Sequence, residues 1–354
     1  MDDKLTLTVN GISVRGRKGQ TVLEVCRENS IKVPTLCYHP KMPPYGGCRL
    51  CIVEIQNMRG LPPSCTTPAM DGMIVTTHND RLVRVRKTVL ELLLAYGDHN
   101  CLMCEKNGEC ELQDLVYEHG IETVRFKTDS PRKPLDDSSA MLVRDQNKCV
   151  LCGRCVRGCL AIQVNGVIDI AARGSDSYIT TFNGGLLKDS NCVFCGECAA
   201  ACPTGALTYK QARFKGRTWE LEKTVTTCVY CGVGCQLELN VKDNKIVKVT
   251  SDSEIPGPNK GSLCVKGRFG MDFIDHPDRL KTPLIKKDGK LQEATWDEAL
   301  GLVAEKFGKI KAESGPDSLA FFSSARCTNE ENYLLSKFSR AVIGTNNVDH
   351  CARL

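Results

Sequence analysis

Residues 149–159 read CVLCGRCVRGC, and residues 192–202 repeat the pattern as CVFCGECAAAC. In both runs two residues separate the first two cysteines, two more precede the third, and three precede the fourth. Three sulfurs packed this densely can wrap one corner of a cubane iron–sulfur cluster. Structural zinc sites instead separate their two ligand pairs by about a dozen residues or more. The two runs therefore predict a pair of [4Fe–4S] clusters rather than zinc.

The paired runs resemble the bacterial two-cluster ferredoxins, in which the fourth cysteine of each run binds the other cluster. The resemblance implies that Cys159 and Cys202 are exchanged between the sites. One cluster is then held by Cys149, Cys152, Cys155 and Cys202, and the other by Cys192, Cys195, Cys198 and Cys159. Leu160 follows the first run where Pro203 follows the second, which we expect to loosen one turn without removing a ligand.

A β-rich module is predicted at the N-terminus. Apolar residues alternate on both sides of Asn10-Gly11, which predicts a hairpin, and residues 21–24 form a capping box that starts a short helix. Such a unit, followed by a loop rich in Gly and Cys, is typical of a β-grasp [2Fe–2S] ferredoxin, although the first ligand gap is wider than in plant ferredoxins. Zinc stays the alternative, because C-x2-C does not distinguish metals. The predicted ligands are Cys37, Cys48, Cys51 and Cys65, and Cys26 is interpreted as a buried core residue.

A second module follows a helix that is predicted to begin at Asn79 or Asp80 and to stop at Gly97. The run CEKNGECELQ at residues 104–113 resembles the [4Fe–4S] site with one His and three Cys ligands in iron-only hydrogenases. The large iron–sulfur subunit of respiratory NADH dehydrogenase and certain formate dehydrogenases carry a similar site. The implied ligands are His99, Cys101, Cys104 and Cys110. Only Asn100 separates the histidine from the first cysteine, where the family usually has three residues, so Asp98 or another group stays open as the fourth ligand.

The fifth group combines CVYCGVGC at residues 228–235 with GSLCVKGR at residues 261–268, and alternating residues around Asp243-Asn244 predict a hairpin between them. With WDEAL at residues 296–300, these runs resemble the start of the molybdenum or tungsten bis-pterin oxidoreductases. The resemblance implies a [4Fe–4S] cluster beside bis-molybdopterin guanine dinucleotide, with Lys266 between the two. The cluster ligands would be Cys228, Cys231, Cys235 and Cys264.

The order of the modules is similar to that of the catalytic subunit of NAD(P)-linked cytoplasmic formate dehydrogenases. The predicted fold class is α+β and multi-module. The predicted domains are a [2Fe–2S] β-grasp ferredoxin at residues 1–78, a one-His/three-Cys module at 79–120, a linker at 121–140, a two-[4Fe–4S] ferredoxin at 141–212, a pterin-oxidoreductase [4Fe–4S] domain at 221–278 and the start of the α/β pterin-binding domain at 279–354.

The function that this resemblance implies is oxidation of formate to CO2, coupled through one [2Fe–2S] and four [4Fe–4S] clusters to reduction of NAD(P). The implied partners are a flavin subunit that binds NAD(P), a small [2Fe–2S] subunit and, as a further candidate, ferredoxin. Three alternatives stay open. They are a non-enzymatic electron-transfer chain, an iron–sulfur subunit of the NADH dehydrogenase or hydrogenase type, and a zinc-rich interaction module.

The segment GTNNVDHCARL at residues 344–354 is similar to the formate dehydrogenase segment before the reactive selenocysteine or cysteine. In that pattern the reactive residue comes directly after the position of Leu354, so no catalytic residue is predicted within the chain. We expect a UGA codon there, with a fragment or an ordinary stop as the alternative. Cys351 is interpreted as structural, and Cys327 as a buried thiol.

Composition excludes several function classes. The 22 cysteines in 354 residues would suggest disulfides in an exported protein, but Met1-Asp2-Asp3-Lys4 does not start an export signal and no apolar stretch is long enough for a membrane span. A cytoplasmic, metal-binding protein is therefore expected. The formal net charge of +5 counts every cysteine as neutral, whereas cluster-bound thiolates would make the loaded protein net negative. Nucleic acid is accordingly not expected as a partner.

Overall fold

The computed structural model describes residues 4–128 and 132–351. Ser130 and Pro131 of the predicted linker, the acidic start of the chain and the last three residues of the 344–354 segment lie outside the described residues. The chain divides into two compact units. The first unit comprises residues 1–224, 239–250 and 262–269, and the second comprises residues 225–238, 251–261 and 270–354.

The N-terminal module of the first unit is a four-stranded sheet with one helix. Its elements are β1 (Lys4–Val9), β2 (Ile12–Arg17), α1 (Val22–Glu28), β3 (Glu54–Ile55) and β4 (Ile74–Thr76). The sheet order is β2-β1-β4-β3, in which β1 and β4 are parallel and the other pairs antiparallel. Asn10 and Gly11 take φ values of 51° and 80°, so the predicted primed turn is confirmed.

The core of this module is built from the alternating apolar residues of the hairpin and one face of α1. Leu7 and Val9 are 1% and 0% exposed, and the capping box joins Thr21 to Glu24 as predicted. Cys26 is fully buried in the same core, where desolvation raises its pKa to about 11. The prediction that Cys26 is a core residue is therefore confirmed.

Two helices follow, α2 (Asp80–Ala95) and α3 (Glu111–Glu118). The side chain of Asn79 caps α2 by accepting a hydrogen bond from the Leu82 N–H at 2.9 Å. Gly97 lies two residues after the end of α2 with a φ of 120°, which only glycine adopts readily. The predicted start and stop of this helix are both present.

The doubled cysteine pattern forms a pair of antiparallel ribbons with two one-turn helices. The elements are β5 (Leu142–Arg144), α4 (Arg154–Arg157), β6 (Ile168–Ala171), β7 (Tyr178–Thr181), α5 (Glu197–Ala200) and β8 (Leu207–Tyr209), with β5 paired to β8 and β6 to β7. The loosened turn after the first run takes the form of a π-helical turn at Gly158–Ile162, which contains Leu160. Asp136, in the predicted linker, pairs with the buried Arg144 at 2.9 Å.

A three-stranded sheet of order β11-β10-β9 follows, built from β9 (Glu222–Thr227), β10 (Gln236–Lys242) and β11 (Lys245–Thr250). Asp243 and Asn244 both take positive φ, at 50° and 59°, so the predicted hairpin is confirmed. The short helix α6 (Val265–Phe269) lies in the first unit.

The second unit contains most of the C-terminal residues. Its further elements are β12 (Leu284–Lys287), β13 (Lys290–Glu293), α7 (Trp296–Ser314), β14 (Phe321–Ser323), α8 (Asn329–Lys337) and β15 (Val348–His350), with β12 antiparallel to β13 and β14 parallel to β15. Capping boxes start both α7 and α8, at Thr295 and Thr328. Neither helix buries a residue completely, so this unit has little closed core of its own among the described residues.

The interpretation of Cys327 as a buried thiol was wrong. Cys327 lies in the loop between β14 and α8 and is exposed, and Cys351, which directly follows β15, is exposed as well. The reason is that this unit has few apolar side chains packed closely enough to cover them. Leu319 and Ile343, at 8% and 5% exposure, are its well-buried aliphatic residues in the described part of residues 270–354.

Within the described part of the chain, no helix is both long and apolar enough to cross a membrane.

Candidate metal centres

The four cysteines predicted to hold the [2Fe–2S] cluster are brought together and are all buried. The sulfur of Cys37 accepts hydrogen bonds from the thiols of Cys48 and Cys65, which lower its pKa, and it lies 3.5 Å from the Cys48 backbone N. Cys51 is joined to Cys65 in the same way, and its pKa is lowered to about 7. Donating these hydrogen bonds raises the pKa of Cys65. Hydrogen bonds between the four cysteine sulfurs therefore spread the negative charge of the thiolates, which an iron–sulfur core would neutralise.

A buried arginine holds the loop that carries Cys51. Arg86 of α2 is 2% exposed, and its guanidinium donates to the carbonyls of Leu50, Ile52 and Thr77 at 3.0, 2.8 and 2.9 Å. Two of these carbonyls flank Cys51. No local sequence pattern marks Arg86 for this role, because its partners lie up to 36 residues away along the chain.

Three of the four residues predicted for the mixed site come together at the start of α3. Cys110 is the residue before α3, and its sulfur accepts backbone N–H groups of Gln113 and Leu112, although burial raises its pKa to about 11. Cys101 and Cys104 lie close enough to raise it further by charge repulsion. Arg217 donates to the carbonyls of Cys104 and of Leu102, the latter at 2.8 Å.

His99 is placed differently. Its Nε2 lies 3.3 Å from the carbonyl of Tyr96, at the end of α2, and burial lowers its pKa, so the ring is neutral near pH 7. A neutral ring suits a metal ligand, and the hydrogen bonds that His99 makes in the described residues go to the backbone of Tyr96 and Leu93, near the end of α2. Asp98, the open alternative, pairs with Arg132 at 3.1 Å. The fourth ligand of this site stays a prediction.

The two cysteine runs adopt the same local structure. Leu151 and Phe194, at equivalent positions, both have a φ of 50°, and their N–H groups donate to the sulfurs of Cys149 and Cys192 at 3.4 Å in each case. Gly153 and Gly196 follow with φ values of 68° and 79° and begin the one-turn helices. N–H···S hydrogen bonds of this kind tune cluster potentials.

The first of the two exchanged cysteine sets comes together around a cavity. This cavity is lined by Cys149, Cys152, Cys155 and Cys202, whose sulfurs are the four predicted for one cubane. Desolvation raises the pKa of Cys155 well above its usual value, and the neighbouring thiols raise it further. Four thiols buried around one cavity fit a [4Fe–4S] core, because a cationic core favours the thiolates that burial alone disfavours.

The other predicted set also comes together. Burial is the main cause that raises the pKa of Cys198. The negative charges of the neighbouring thiolates raise it further, namely those of Cys195, Cys192 and Cys159. The sulfur of Cys159 accepts the Val167 N–H at 3.3 Å. These sulfurs belong to both runs, as the exchange requires.

The residues predicted for the fifth site are divided between the two units. Cys228, Cys231 and Cys235 belong to the second unit, where the Cys228 N–H donates to the Cys235 carbonyl at 2.8 Å and closes their loop. Cys264 belongs to the first unit and directly precedes α6. Its backbone carbonyl accepts a hydrogen bond from the Arg268 N–H at 3.0 Å. Lys266, the predicted pterin neighbour, is exposed on α6.

Within residues 4–128 and 132–351 no three His, Cys, Asp or Glu side chains converge closely enough to hold one metal ion. A four-iron cluster attaches each cysteine to a different iron atom, so this finding concerns single ions only.

Comparison with known families matches five models along the chain. They describe a 2Fe-2S iron-sulfur cluster binding domain at residues 2–80, the NADH-ubiquinone oxidoreductase-G iron-sulfur binding region at 86–125, a 4Fe-4S dicluster domain at 148–206, the molybdopterin oxidoreductase Fe4S4 domain at 221–276 and molybdopterin oxidoreductase at 279–354. The chain therefore carries iron–sulfur domains at residues 2–206, followed by the Fe4S4 domain and the start of the larger domain of a molybdopterin oxidoreductase. The predicted fold class, in which iron–sulfur domains precede the start of a pterin-oxidoreductase domain, is confirmed.

Several curated proteins are similar over nearly the whole chain. The alpha subunit of NADPH-Fe(3+) oxidoreductase of Geobacter sulfurreducens is 38% identical over 99% of this chain, and a G-type subunit of the NADH-quinone oxidoreductase of Rhizobium meliloti is 37% identical over 99%. A Staphylococcus aureus protein named "Putative formate dehydrogenase" is 35% identical over the whole chain. The chain spans about two fifths of the length of these relatives, at 40%, 40% and 39%.

A solved structure, titled as an NAD+-reducing [NiFe]-hydrogenase in the H2-reduced state, is 38% identical with a TM-score of 0.57. The match covers 60% of this chain and 90% of that one. The proteins that this chain resembles thus include oxidoreductases named for NADH and NADPH as well as NAD+.

Proposed function

We propose that this module carries electrons from a pterin-bound metal centre, where formate is oxidised to CO2, to a partner flavin subunit that reduces NAD(P). The observation that carries the proposal is the contact between successive predicted cluster sites inside the first unit. Cys37 and Cys48 of the first site pack in one apolar cluster with Cys110 of the mixed site and Cys152 of the first cubane site. Electron transfer requires such short separations between neighbouring clusters.

A second close contact supports the path between the mixed site and the first cubane. A Cβ added to Gly205 would lie 2.6 Å from the sulfur of Cys104, so glycine is required where the two sites approach each other. Gly205 follows Cys202, a predicted ligand of that cubane, by three residues. The predicted site of the first cubane therefore neighbours both the predicted [2Fe–2S] site and the predicted mixed site.

Bound clusters accept and release single electrons, and that chemistry belongs to the clusters rather than to the protein. The residues of this chain hold the clusters, insulate them and set their potentials through burial and hydrogen bonds to sulfur. We propose the twenty residues given above as ligands, Lys266 as the pterin neighbour, and a flavin subunit and a small [2Fe–2S] subunit as partners. Formate is supported by the order of the modules and by relatives named as putative formate dehydrogenases.

A second candidate is an iron–sulfur subunit of the NADH dehydrogenase or hydrogenase type. The hydrogenase structure and the Rhizobium meliloti relative favour it as much as the formate dehydrogenase names favour the first. In that case NAD(P)H would reduce the clusters and formate would not.

The test is anaerobic isolation of the protein in its native complex, followed by metal analysis and reduction with each donor. Roughly eighteen irons per chain are expected from one [2Fe–2S] and four [4Fe–4S] clusters. Cluster reduction and viologen dye reduction by formate would support the first proposal. Reduction by NAD(P)H alone would support the second, and zinc in place of iron would reject both.

A further inference from the structure

Arg157, the last residue of α4, joins the loops of two predicted clusters. Its Nη2 donates to the carbonyl of Cys37, a ligand of the [2Fe–2S] site, at 2.5 Å, and to that of Cys152, a ligand of the first cubane, at 3.4 Å. Its Nη1 donates to the carbonyl of Pro43 at 2.7 Å. A single guanidinium nitrogen thus connects the cysteine backbones of two neighbouring cluster sites that are far apart in sequence.

The surroundings of Arg157 hold it in this place. The guanidinium carbon lies 5.2 Å from the centre of the Tyr45 ring, and the same ring contacts the position that a Cβ on Gly153 would take, at 3.5 Å. The Nε atom of Arg157 is buried without a hydrogen-bond partner in the described residues. A buried polar atom left in this way is costly, so the arginine is kept here for what its other nitrogens do.

The charge of Arg157 is directed at the clusters and not at an acid. Other arginines of the module have carboxylate partners: Arg154 pairs with Glu111 at 2.5 Å, and Arg268 pairs with Glu197 at 2.5 Å. No carboxylate in the described part of the chain lies within ion-pair distance of Arg157. A cluster held by four thiolates is anionic and gains one more negative charge on reduction, so a nearby unpaired cation favours the reduced form.

We propose that Arg157 is a positioning residue for electron transfer between the [2Fe–2S] cluster and the first cubane. It raises the reduction potentials of both, and it supplies the hydrogen-bonded bridge from the Cys37 carbonyl to the Cys152 carbonyl. This inference rests on the proposed function, since it needs both clusters to be present. The shift is expected to be larger for the [2Fe–2S] cluster, because the Cys37 carbonyl is the closer acceptor.

The experiment compares wild type with Arg157→Gln and Arg157→Lys, using the complex reconstituted with clusters. Redox titrations followed by electron paramagnetic resonance give the potential of each cluster, and flash photoreduction gives the rate of transfer from the [2Fe–2S] cluster to the cubane. Arg59→Gln, at an exposed arginine of the N-terminal module that carries Cys37, is the control.

In Arg157→Gln we expect lower potentials at the two named clusters alone and slower transfer between them. Arg157→Lys keeps the positive charge, so we expect reduction potentials close to those of the wild type. Its single ammonium nitrogen cannot reproduce the hydrogen bonds of the guanidinium, so we expect slower electron transfer between the two clusters. Unchanged potentials and rates in Arg157→Gln, or equal shifts at every cluster, overturn the inference. If Arg157→Gln fails to retain either cluster, the result for Arg157→Lys is used instead. A transfer rate equal to that of the wild type in Arg157→Lys would then reject the hydrogen-bonded bridge between the Cys37 and Cys152 carbonyls. Missing iron in the wild type would reject the proposed function instead.

Discussion

Replacing Arg268 by methionine is expected to destabilise the second cubane site strongly. Arg268 has no exposed side-chain surface, and its partner Glu197 is 6% exposed. The guanidinium donates to Glu197 at 2.5 Å, to the Tyr209 hydroxyl at 2.8 Å and to the Cys195 carbonyl at 2.7 Å. Since Cys195 is a predicted ligand, this arginine holds the cluster loop directly.

The size of the effect follows from the groups left behind. A buried carboxylate that loses its cation costs about 3–5 kcal/mol. The Cys195 carbonyl and the Tyr209 hydroxyl each lose a donor, at about 1 kcal/mol apiece. The single variant should therefore weaken this region by roughly 6 kcal/mol.

The double variant Arg268→Met/Glu197→Met should recover about half of that loss. An apolar pair of similar volume is often as stable as a buried ion pair, so the charge penalty disappears. The Leu263 N–H, which donates to Glu197 at 3.2 Å, then becomes a third unpaired group beside Cys195 and Tyr209. Three such groups leave a cost of about 3 kcal/mol.

The assay is the rate at which a chelator removes iron under anaerobic, mildly denaturing conditions, where release follows the locally opened population. The single variant should release iron faster by about four orders of magnitude, and the double variant should recover about two of them, at about 1.4 kcal/mol per tenfold. Arg173→Met, at an exposed arginine of the same module, should match wild type. If the double variant released iron as fast as the single variant, the view that the unpaired Glu197 carboxylate causes most of the loss would be refuted.

Further predictions concern individual residues. Cys202→Ser should remove the cubane of the first run and Cys159→Ser that of the second, each with a loss of about four irons; Mössbauer and paramagnetic resonance spectra that show the opposite assignment would disprove the exchange. Gly205→Ala should perturb the spectrum of the mixed site, because its Cβ would lie 2.6 Å from the Cys104 sulfur, and an unaltered spectrum would contradict the close approach. Arg86→Gln should lower the stability of the [2Fe–2S] module by about 3 kcal/mol, measured by bleaching in urea, because buried carbonyls lose their donors; an unchanged midpoint would count against the clamp.

Local sequence decided the elements that were predicted well. The turns at Asn10-Gly11 and Asp243-Asn244 both depend on residues that tolerate positive φ, and both appear as expected. The cap at Asn79 depends only on the residues within one turn of it. The cysteine runs belong to the same class, since their spacing reflects the geometry of one local loop.

Burial could not be predicted where it depends on distant residues. Cys327 resembles other small apolar residues in the sequence, yet it is exposed because its own unit supplies little core around it. His99 shows a related difficulty. The family resemblance implies that His99 is a ligand, and this stays a prediction, while its contact with the Tyr96 carbonyl depends on how α2 ends.

The arginines explain why the sequence was informative about the clusters but silent about their surroundings. A cysteine can be assigned from its spacing, whereas Arg86 and Arg157 look like ordinary surface charges until the fold places them against carbonyls 36 and 120 residues away. Burying such cations is costly in an apo protein and favourable beside an anionic cluster. Part of the formal charge of +5 is therefore internal counter-charge for the clusters rather than a surface for acidic partners. The same reasoning makes an arginine that has no carboxylate partner and contacts predicted ligand residues, as Arg157 does, a better guide than net charge to where reduced clusters lie.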